Sequence, residues 1–204
     1  DVGGANNWGW EFAAVDPYGN VIFYDEIAEP GADIEQFTPR AKQMMAGLNF
    51  RERVIDYENK LAAGLLAKHG IYVTNARKAE KMTSVLALGM YLKLNQRHRF
   101  PYWHPRAGEY GSPRLFIGPR CKTLIREITQ QRYRELPDGR VLNELDPKIR
   151  KDTFDSALYV IRTLPRPSEL PTETLDNLLA KPTNKRSLTY WTDVQAAKAE
   201  TRQN

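Results

Sequence analysis

The amino-acid sequence predicts an α/β fold in which helices flank a mixed β-sheet. Two apolar runs, WGWEFAAVD and VIFYDEI, surround the turn sequence PYGN near the start of the chain, which is typical of an antiparallel hairpin. A strand, a helix and another strand then follow within residues 51–77, and this order indicates a parallel crossover. The predicted sheet therefore combines an antiparallel hairpin with parallel strands.

The other elements follow from apolar periodicity and turn residues. After the hairpin, the predicted elements are a helix over 33–47, the strand RERVID, a helix over 58–68, the strand IYVTNAR, a helix over 79–96, a loop or irregular hairpin over 99–118 that closes with the strand RLFI, a basic helix over 121–134, and the turn PDGR. Gly47 and Gly70 mark helix ends, because glycine readily adopts the left-handed cap conformation.

The last predicted helix, residues 151–164, has an apolar face and an acidic face. At about 100° per residue, KDTFDSALYVIRTL places Phe154, Leu158 and Ile161 on one side. Asp152 and Asp155 lie on the other side, near the start of the helix. From Pro165 the chain has four prolines by residue 182 and only short apolar patches. We therefore expect one domain over 1–164 and a loosely ordered tail over 165–204.

Apolar runs, the cysteine count and the charge distribution exclude some classes of protein. No apolar run is long enough to cross a bilayer, and the start DVGGANN lacks the regions of a signal peptide, so we expect no membrane association. The single cysteine, Cys121, excludes an internal disulfide framework. Between Arg77 and Arg150 the chain has 16 Lys and Arg against 7 Asp and Glu, a net +9, whereas the rest carries −4. Such a basic block indicates either a polyanion-binding surface or a solvated basic face.

Four aspartates stand where a sheet and a helix can bring carboxylates together. Asp1 precedes the hairpin, Asp56 ends the strand RERVID, and Asp152 and Asp155 begin the last helix. If the first strand neighbours the fourth, Asp1 and Asp56 lie side by side, and the last helix can bring the other two over them. Clustered carboxylates repel each other unless a cation neutralises them, and such hard oxygen ligands suit Mg²⁺ or Mn²⁺.

Each of these aspartates also has a simpler explanation. Asp152 can cap the last helix, with Asp155 favoured in its first turn by the helix dipole. Asp56 can start a turn or cap the helix that follows, and Asp1 can be no more than the end of a fragment. Taken singly, none of the four therefore requires a metal.

Four segments occur along the chain in an order that is more specific than any one of the segments alone. DVGGANNWGWEFAAVDPYGNVIFYDEI has an Asp-x-Gly, an Asn and two strands, and RVIDYENKLAAGLLAKHGIYVTNARKAEK has an acid ending a strand, a helix, a strand and a Lys-containing loop. The other two segments resemble motifs of one protein family. LFIGPRCKTLIREITQQRYRE resembles the motif that usually contains Leu-x-x-Glu-Leu, and DTFDSALYVI resembles the motif commonly written with Asp-Ala-Leu-Arg-Tyr. From Asp1 to about Leu164 the chain thus resembles the C-terminal nuclease domain of the large terminase subunits of tailed bacteriophages.

The resemblance implies an RNase H-like fold and hydrolysis of double-stranded concatemeric DNA during genome packaging, with two Mg²⁺ or Mn²⁺ ions activating water. It implies that Asp1, Asp56 and Asp155 bind metal and that Asp152 is an auxiliary ligand or proton carrier. Positive residues of the basic window would hold DNA phosphates, namely Lys78, Lys81, Arg120 and Lys122. Two departures from the family pattern are Ser156 within the last motif, where the usual Arg is absent, and the missing apolar strand before Asp1.

The resemblance also implies partners. They are a portal protein, on which the tail over 165–204 would dock, a small terminase subunit, and an ATPase domain upstream of this chain, all in the cytoplasm of an infected host cell. The sequence has no G-x-x-x-x-G-K-[ST] motif and therefore no ATP-driven motor of its own.

Three alternatives stay open at this point. The same acids suit another RNase H-like nuclease, of the resolvase or transposase type. A noncatalytic DNA-binding module of a packaging machine would use the basic block and the tail instead. His98, His104 and Cys121 offer ligands for zinc, but their spacing matches no standard zinc finger.

Overall fold

A computed structural model describes residues 7–31 and 33–165 of the chain. The strands within these ranges are β1 (Asn7–Val15), β2 (Val21–Pro30), β3 (Val54–Ile55), β4 (Thr74–Asn75), β5 (Asn95–Arg99), β6 (Tyr110–Ser112), β7 (Leu115–Ile117), β8 (Tyr133–Glu135) and β9 (Val141–Leu145). The helices are α1 (Ile34–Met45), α2 (Lys60–Lys68), α3 (Lys81–Leu92), α4 (Lys122–Gln130) and α5 (Asp152–Thr163). No helix in the described ranges is long and apolar enough to cross a membrane.

The central sheet mixes antiparallel and parallel pairing. β1 pairs antiparallel with β2, and β2 pairs parallel with β7, which gives the order β1-β2-β7. β3 and β4 form a separate parallel pair that is joined through α2. The predicted α/β fold, with an antiparallel hairpin, parallel strands and flanking helices, is therefore confirmed.

One expectation about strand order differs from the structure. Within the described residues, β1 is hydrogen-bonded to β2 alone, and β3 to β4 alone. The first strand is therefore not paired with the fourth in this part of the chain. Asp1 lies outside the described residues, so its position beside Asp56 stays a prediction.

Helices cover both faces of the sheet and form two buried clusters. On one face, Phe12 and Ile27 of the hairpin pack with Phe37 of α1 and Leu66 of α2. On the other face, Val21, Phe23 and Leu115 pack with residues of α3, α4 and α5, among them Leu88, Leu124, Phe154 and Leu158. The architecture is thus helix, sheet, helix, with α5 held against β1 by its predicted apolar face.

Helices α3 and α4 end earlier than the sequence predicts, and a β-hairpin follows each of them. The predicted helices over 33–47, 58–68 and 151–164 correspond to α1, α2 and α5, but α3 stops at Leu92 and α4 at Gln130. The residues that follow pair as antiparallel β5–β6 and β8–β9. Gly139 adopts a φ of +82° in the turn PDGR, which lets Tyr133–Glu135 fold back on Val141–Leu145. The prediction of a helix as far as residue 134 is therefore wrong.

Candidate active site

Asp56 lies directly after β3, at the carboxyl end of the β3–β4 pair. Its Oδ1 accepts the backbone N–H of Glu58 at 3.2 Å, as in a short polar turn. The cap of α2 is Asn59, whose side chain accepts the N–H of Ala62 at 3.2 Å. Asp56 therefore starts a turn but does not cap the helix that follows. Its second oxygen, Oδ2, remains for other contacts.

Tyr159 of α5 makes the contact that joins Asp56 to the acidic face of α5. The phenol of Tyr159 donates a hydrogen bond of 2.9 Å to Oδ2 of Asp56. Burial, and next the bond to Asp56, raise the pKa of Tyr159, with the charges of Asp56 and Asp155 adding to the effect. The phenol therefore stays a proton donor at neutral pH. Asp155 precedes Tyr159 by one helical turn, so both side chains lie on the same face of α5.

Asp155 is paired with a cation of the chain itself. The ammonium of Lys81, the first residue of α3, lies 2.5 Å from Oδ1 and 2.7 Å from Oδ2 of Asp155. Burial raises the pKa of Asp155, the ammonium of Lys81 opposes that rise, and the charge of Asp152 also raises the pKa. The ammonium of Lys81 therefore favours the charged form of this carboxylate, against the effect of burial. Lys81 was predicted to hold a DNA phosphate, and here it neutralises a candidate metal ligand.

Asp152 is not the cap of α5. The N-cap position is Lys151, which provides no side-chain hydrogen bond. The first free amides of the helix, those of Thr153 and Phe154, donate instead to Oε2 of Glu127 in α4 at 2.9 and 3.0 Å. The simpler explanation of Asp152 as a helix cap is therefore wrong. Its carboxylate lies 3.5 Å from the guanidinium of Arg150.

The start of β1 packs against the first turn of α5. A Cβ built at Gly9 would lie 2.7 Å from the carbonyl oxygen of Asp152 and 2.9 Å from Oγ of Ser156. Ser156 donates to the carbonyl of Gly9 at 2.8 Å. Ser156, which departs from the family motif, therefore ties the helix to the strand that begins six residues after Asp1. Asp1 itself lies outside the described residues.

The donor set fits a divalent cation in its chemistry, although the described residues do not complete a site. Asp56 and Asp155 offer hard carboxylate oxygens, and Asp155 already holds a cationic ammonium. Within 7–31 and 33–165, no three His, Cys, Asp or Glu side chains are close enough together to hold a metal. A complete site therefore requires a further ligand, and Asp1 stays the predicted one.

The fold matches solved structures of phage proteins. The nuclease domain of the g2p large terminase from bacteriophage SPP1, solved with bound Mn, aligns over 79% of this chain and 81% of its own, with a TM-score of 0.53 and 16% identity. The large terminase of a thermophilic bacteriophage aligns over 80% of this chain, with a TM-score of 0.59 and 15% identity. The chain has the fold of a large-terminase nuclease domain.

Comparison with solved structures finds similar proteins, whereas comparison with family models and with curated sequences does not. No family model matches the chain, and no curated protein sequence matches it. The alignment covers 38% of the length of the large terminase from the thermophilic phage. The RNase H-like fold that the sequence motifs implied is therefore confirmed.

The four predicted phosphate-binding residues separate into two groups on this fold. Lys78 lies over the ring of Tyr57, next to Asp56, with its ammonium 5.5 Å from the ring centre, and Lys81 contacts Asp155. Arg120 instead pairs with Asp25 at 2.6 Å. Together with Lys122 and Arg40, Arg120 lines a depression beside the start of α4. Only the first group therefore adjoins the candidate acids.

The proposed zinc ligands have separate surroundings. His98 lies 3.1 Å from the amide nitrogen of Asn95, His104 stacks on Phe100 with ring centres 4.5 Å apart, and Cys121 is buried in the core. Burial and a nearby arginine lower the pKa of both histidines. These contacts assign the three residues to packing.

Sequence reasoning did not single out Tyr159, Gly9 or Glu127 as parts of the site. For Glu127 a signal was present, since it follows Leu124 by three residues and therefore falls on the apolar face of α4. A charged residue on such a face requires a buried partner, and its partner is the start of α5. Tyr159 follows Asp155 by four residues, the spacing of Asp and Tyr in the family motif.

Proposed function

We propose that this chain is the nuclease part of a phage DNA-packaging enzyme, a divalent-metal-dependent endonuclease that cleaves double-stranded concatemeric viral DNA. The observation that carries the proposal is the bond from Tyr159 to Asp56, which holds a strand-end acid against the helix face of Asp155 and Asp152. The terminase nuclease fold supports it, because the chain aligns over 79% of its length with a phage large-terminase nuclease domain that was solved with bound Mn.

The acids have distinct roles in the proposed reaction. Asp1, Asp56 and Asp155 would hold two Mg²⁺ or Mn²⁺ ions, with Asp152 as an auxiliary ligand or proton carrier. When bound, such ions lower the pKa of an attacking water and stabilise the oxygen that leaves phosphorus. Tyr159 orients Asp56 through Oδ2, and Lys81 favours the charged form of Asp155.

Lys81 and Lys78 would also contact the phosphates of bound DNA. With a metal bound at Asp155, the Lys81 ammonium would be free to contact a DNA phosphate, as Lys78 would be from its place over Tyr57. Contacts of this kind position the backbone without reading bases, so sequence preference is weak and binding falls steeply with salt. Arg120 and Lys122 would contact DNA at a distance from the acids.

Cleavage of supercoiled plasmid with Mn²⁺ tests the proposal. Wild type should nick and linearise the plasmid, Asp56→Asn should not, and Asp138→Asn should behave as wild type, because Asp138 is an exposed turn residue between β8 and β9. Undiminished nicking by Asp56→Asn would contradict the assignment. DNA affinity without any metal dependence would favour a noncatalytic module, and a strong preference for four-way junctions would favour a resolvase.

The proposed partners are those of a packaging machine in the host cytoplasm: a portal protein, a small terminase subunit and an upstream ATPase domain. The tail over 165–204 would dock on the portal. Deleting the residues after Arg166 should spare plasmid cleavage and abolish portal binding. Loss of cleavage on this deletion would instead make the tail part of the nuclease fold.

A further inference from the structure

Helix α5, which carries Asp152 and Asp155, is capped by a residue from another helix. Oε2 of Glu127 in α4 accepts the N–H of Thr153 at 2.9 Å, the hydroxyl of Thr153 at 2.8 Å and the N–H of Phe154 at 3.0 Å. Glu127 is completely buried. A negative carboxylate at a helix N-terminus is favoured by both the free amides and the helix dipole. Glu127 therefore fixes the end of α5 from which the two aspartates project.

The other oxygen of this carboxylate has no partner among the described residues. Oε1 of Glu127 is buried without a hydrogen bond, and so are both carboxylate oxygens of Glu11 in β1. An ionised carboxylate is costly to bury unless its oxygens are paired. Three orphan oxygens on two interacting carboxyl groups therefore need an explanation.

The strand geometry directs Glu11 toward the start of α5. Gly9, two residues earlier in β1, packs against the carbonyl of Asp152, and alternate residues of a strand face the same side. Glu11 also stands directly opposite Glu26 of β2. Glu26 is already engaged, since it accepts the N–H groups of Thr123 and Leu124 at 2.6 and 2.9 Å and so caps α4.

The groups that face Glu11 are almost all acidic. They are Asp25 and Glu26 from β2, Glu127 from α4, and the thiol of Cys121 before α4. Asp25 is paired with Arg120, so its charge is largely offset. Glu11 is thus surrounded by carboxylates that are hydrogen-bonded elsewhere, and the described residues offer no cation to it.

We propose that Glu11 is a protonated carboxylic acid that donates its hydrogen bond to Oε1 of Glu127, and that this pair positions α5 and with it Asp152 and Asp155. Its positioning role rests on the proposed function, because it matters to the reaction only if Asp155 binds metal. Burial, and then the charges of Glu26, Glu127 and Asp25, raise the pKa of Glu11 to about 9. One proton satisfies orphan oxygens on both residues, leaving Glu127 the negative charge that its helix cap needs.

The pair predicts a pH dependence whose sign is fixed. The unfolded chain releases this proton near pH 4.5, whereas the folded chain retains it to about pH 9. Between these values the folded protein holds one more proton than the unfolded chain, so its stability falls as the pH rises. Above about pH 9 the folded pair ionises too, and two facing carboxylates repel at the start of α5.

Three substitutions separate the proton from the shape of the side chain. Glu11→Gln donates an amide N–H to Glu127 and cannot ionise, Glu11→Leu removes the donor, and Glu52→Gln changes an exposed glutamate as a matched control. Urea unfolding is measured across pH 4.5 to 9 without metal, and the infrared band of protonated carboxyl groups is recorded at neutral pH. Titration with Mn²⁺ then measures metal affinity.

The expected result is specific to each variant. Glu11→Gln should lose the protonated-carboxyl band, gain stability over wild type as the pH rises, and keep wild-type Mn²⁺ affinity. Glu11→Leu should lose about tenfold in Mn²⁺ affinity, the size typical of groups that orient metal ligands. Glu52→Gln should match wild type in every measurement.

Several results would overturn the inference. An infrared band that persists in Glu11→Gln, or equal pH profiles for this variant and wild type, would show that Glu11 carries no proton. Stability that depends on added Na⁺ or Ca²⁺ would place a cation between the two residues. Wild-type Mn²⁺ affinity in Glu11→Leu would refute the positioning role. If wild type binds no Mn²⁺, the proposed function fails, while the infrared and unfolding data still decide whether the pair exists.

Discussion

The phenol of Tyr159 and the carboxylate of Asp56 form a 2.9 Å hydrogen bond between residues that are 103 positions apart in the chain. The bond connects the end of β3 to the middle of α5, two elements that also contact each other directly. Of the contacts described, it is the one that brings Asp56 to the helix face of Asp155. The relative position of two candidate metal ligands therefore depends on a residue that binds no metal itself.

Replacing Tyr159 with Phe removes this donor and leaves the ring in place. Oδ2 of Asp56 then loses its hydrogen-bond partner. We expect the free energy of unfolding to fall by about 1 kcal/mol, which is near the low end of the cost of leaving a partly buried polar group unpaired. Mn²⁺ affinity should fall by about tenfold, because the carboxylate is no longer oriented. Calorimetric titration with Mn²⁺ measures this loss. Tyr133→Phe, at a largely exposed tyrosine of β8, is the matched control, and equal affinities for the two variants would contradict the prediction.

Replacing Lys81 with Gln tests the cation that faces Asp155. Lys81 lowers the pKa of Asp155, which burial raises, so the variant should raise that pKa further. A carboxylate must be deprotonated to bind metal, hence the pH at which Mn²⁺ affinity is half-maximal should move upward. Stability should change by less than about 1 kcal/mol, since the ion pair is partly exposed.

The Lys81→Gln experiment needs a control for charge on the same helix. Lys93→Gln removes an exposed lysine at the other end of α3. It should leave the pH dependence of Mn²⁺ binding unchanged. A downward shift for Lys81→Gln would mean that Lys81 hinders ionisation of Asp155, which the geometry opposes.

Replacing Gly9 with Ala tests the close approach of β1 to α5. The new Cβ would lie 2.7 Å from the carbonyl oxygen of Asp152, and that atom belongs to the backbone and cannot rotate away. We expect a loss of about 1–3 kcal/mol, as is usual for an overpacked site, together with weaker Mn²⁺ binding. Gly64→Ala in α2 meets no atom within 4 Å, and it should gain about 0.5–1 kcal/mol. Urea unfolding of both variants separates local crowding from the general effect of alanine.

Local patterns predicted those parts of the molecule that depend on neighbouring residues. The two faces of α5 follow from helical spacing, and Phe154, Leu158 and Ile161 are buried as predicted. The hairpin β1–β2 follows from two apolar runs around a turn. In both cases the information lies within about a dozen residues of sequence.

Contacts between distant residues could not be predicted in the same way. Glu127 caps a helix that begins 25 positions later, and the sequence at Asp152 looked sufficient to cap that helix itself. Tyr133 to Leu145 pair as a hairpin although the preceding residues favour a helix, because cross-strand partners outweigh local propensity. The contribution of Asp1 to the site depends on residues outside the described part of the chain and stays a prediction.

Asp155 and Asp152 should differ in both activity and stability. Asp155→Asn should reduce plasmid cleavage by more than about 100-fold, beyond the effect of residues that only orient a ligand. Burial raises the pKa of Asp155, which means that folding disfavours the charged form of this side chain. Without metal, and at a pH above the pKa of Asp155, the Asp155→Asn variant should therefore be at least as stable as wild type. Asp152→Asn should retain part of the cleavage rate and nearly full stability, because Glu127 and not Asp152 caps α5. Unfolding in EDTA and cleavage in Mn²⁺ measure the two properties separately, and a large stability loss in Asp152→Asn would restore the capping role to that residue.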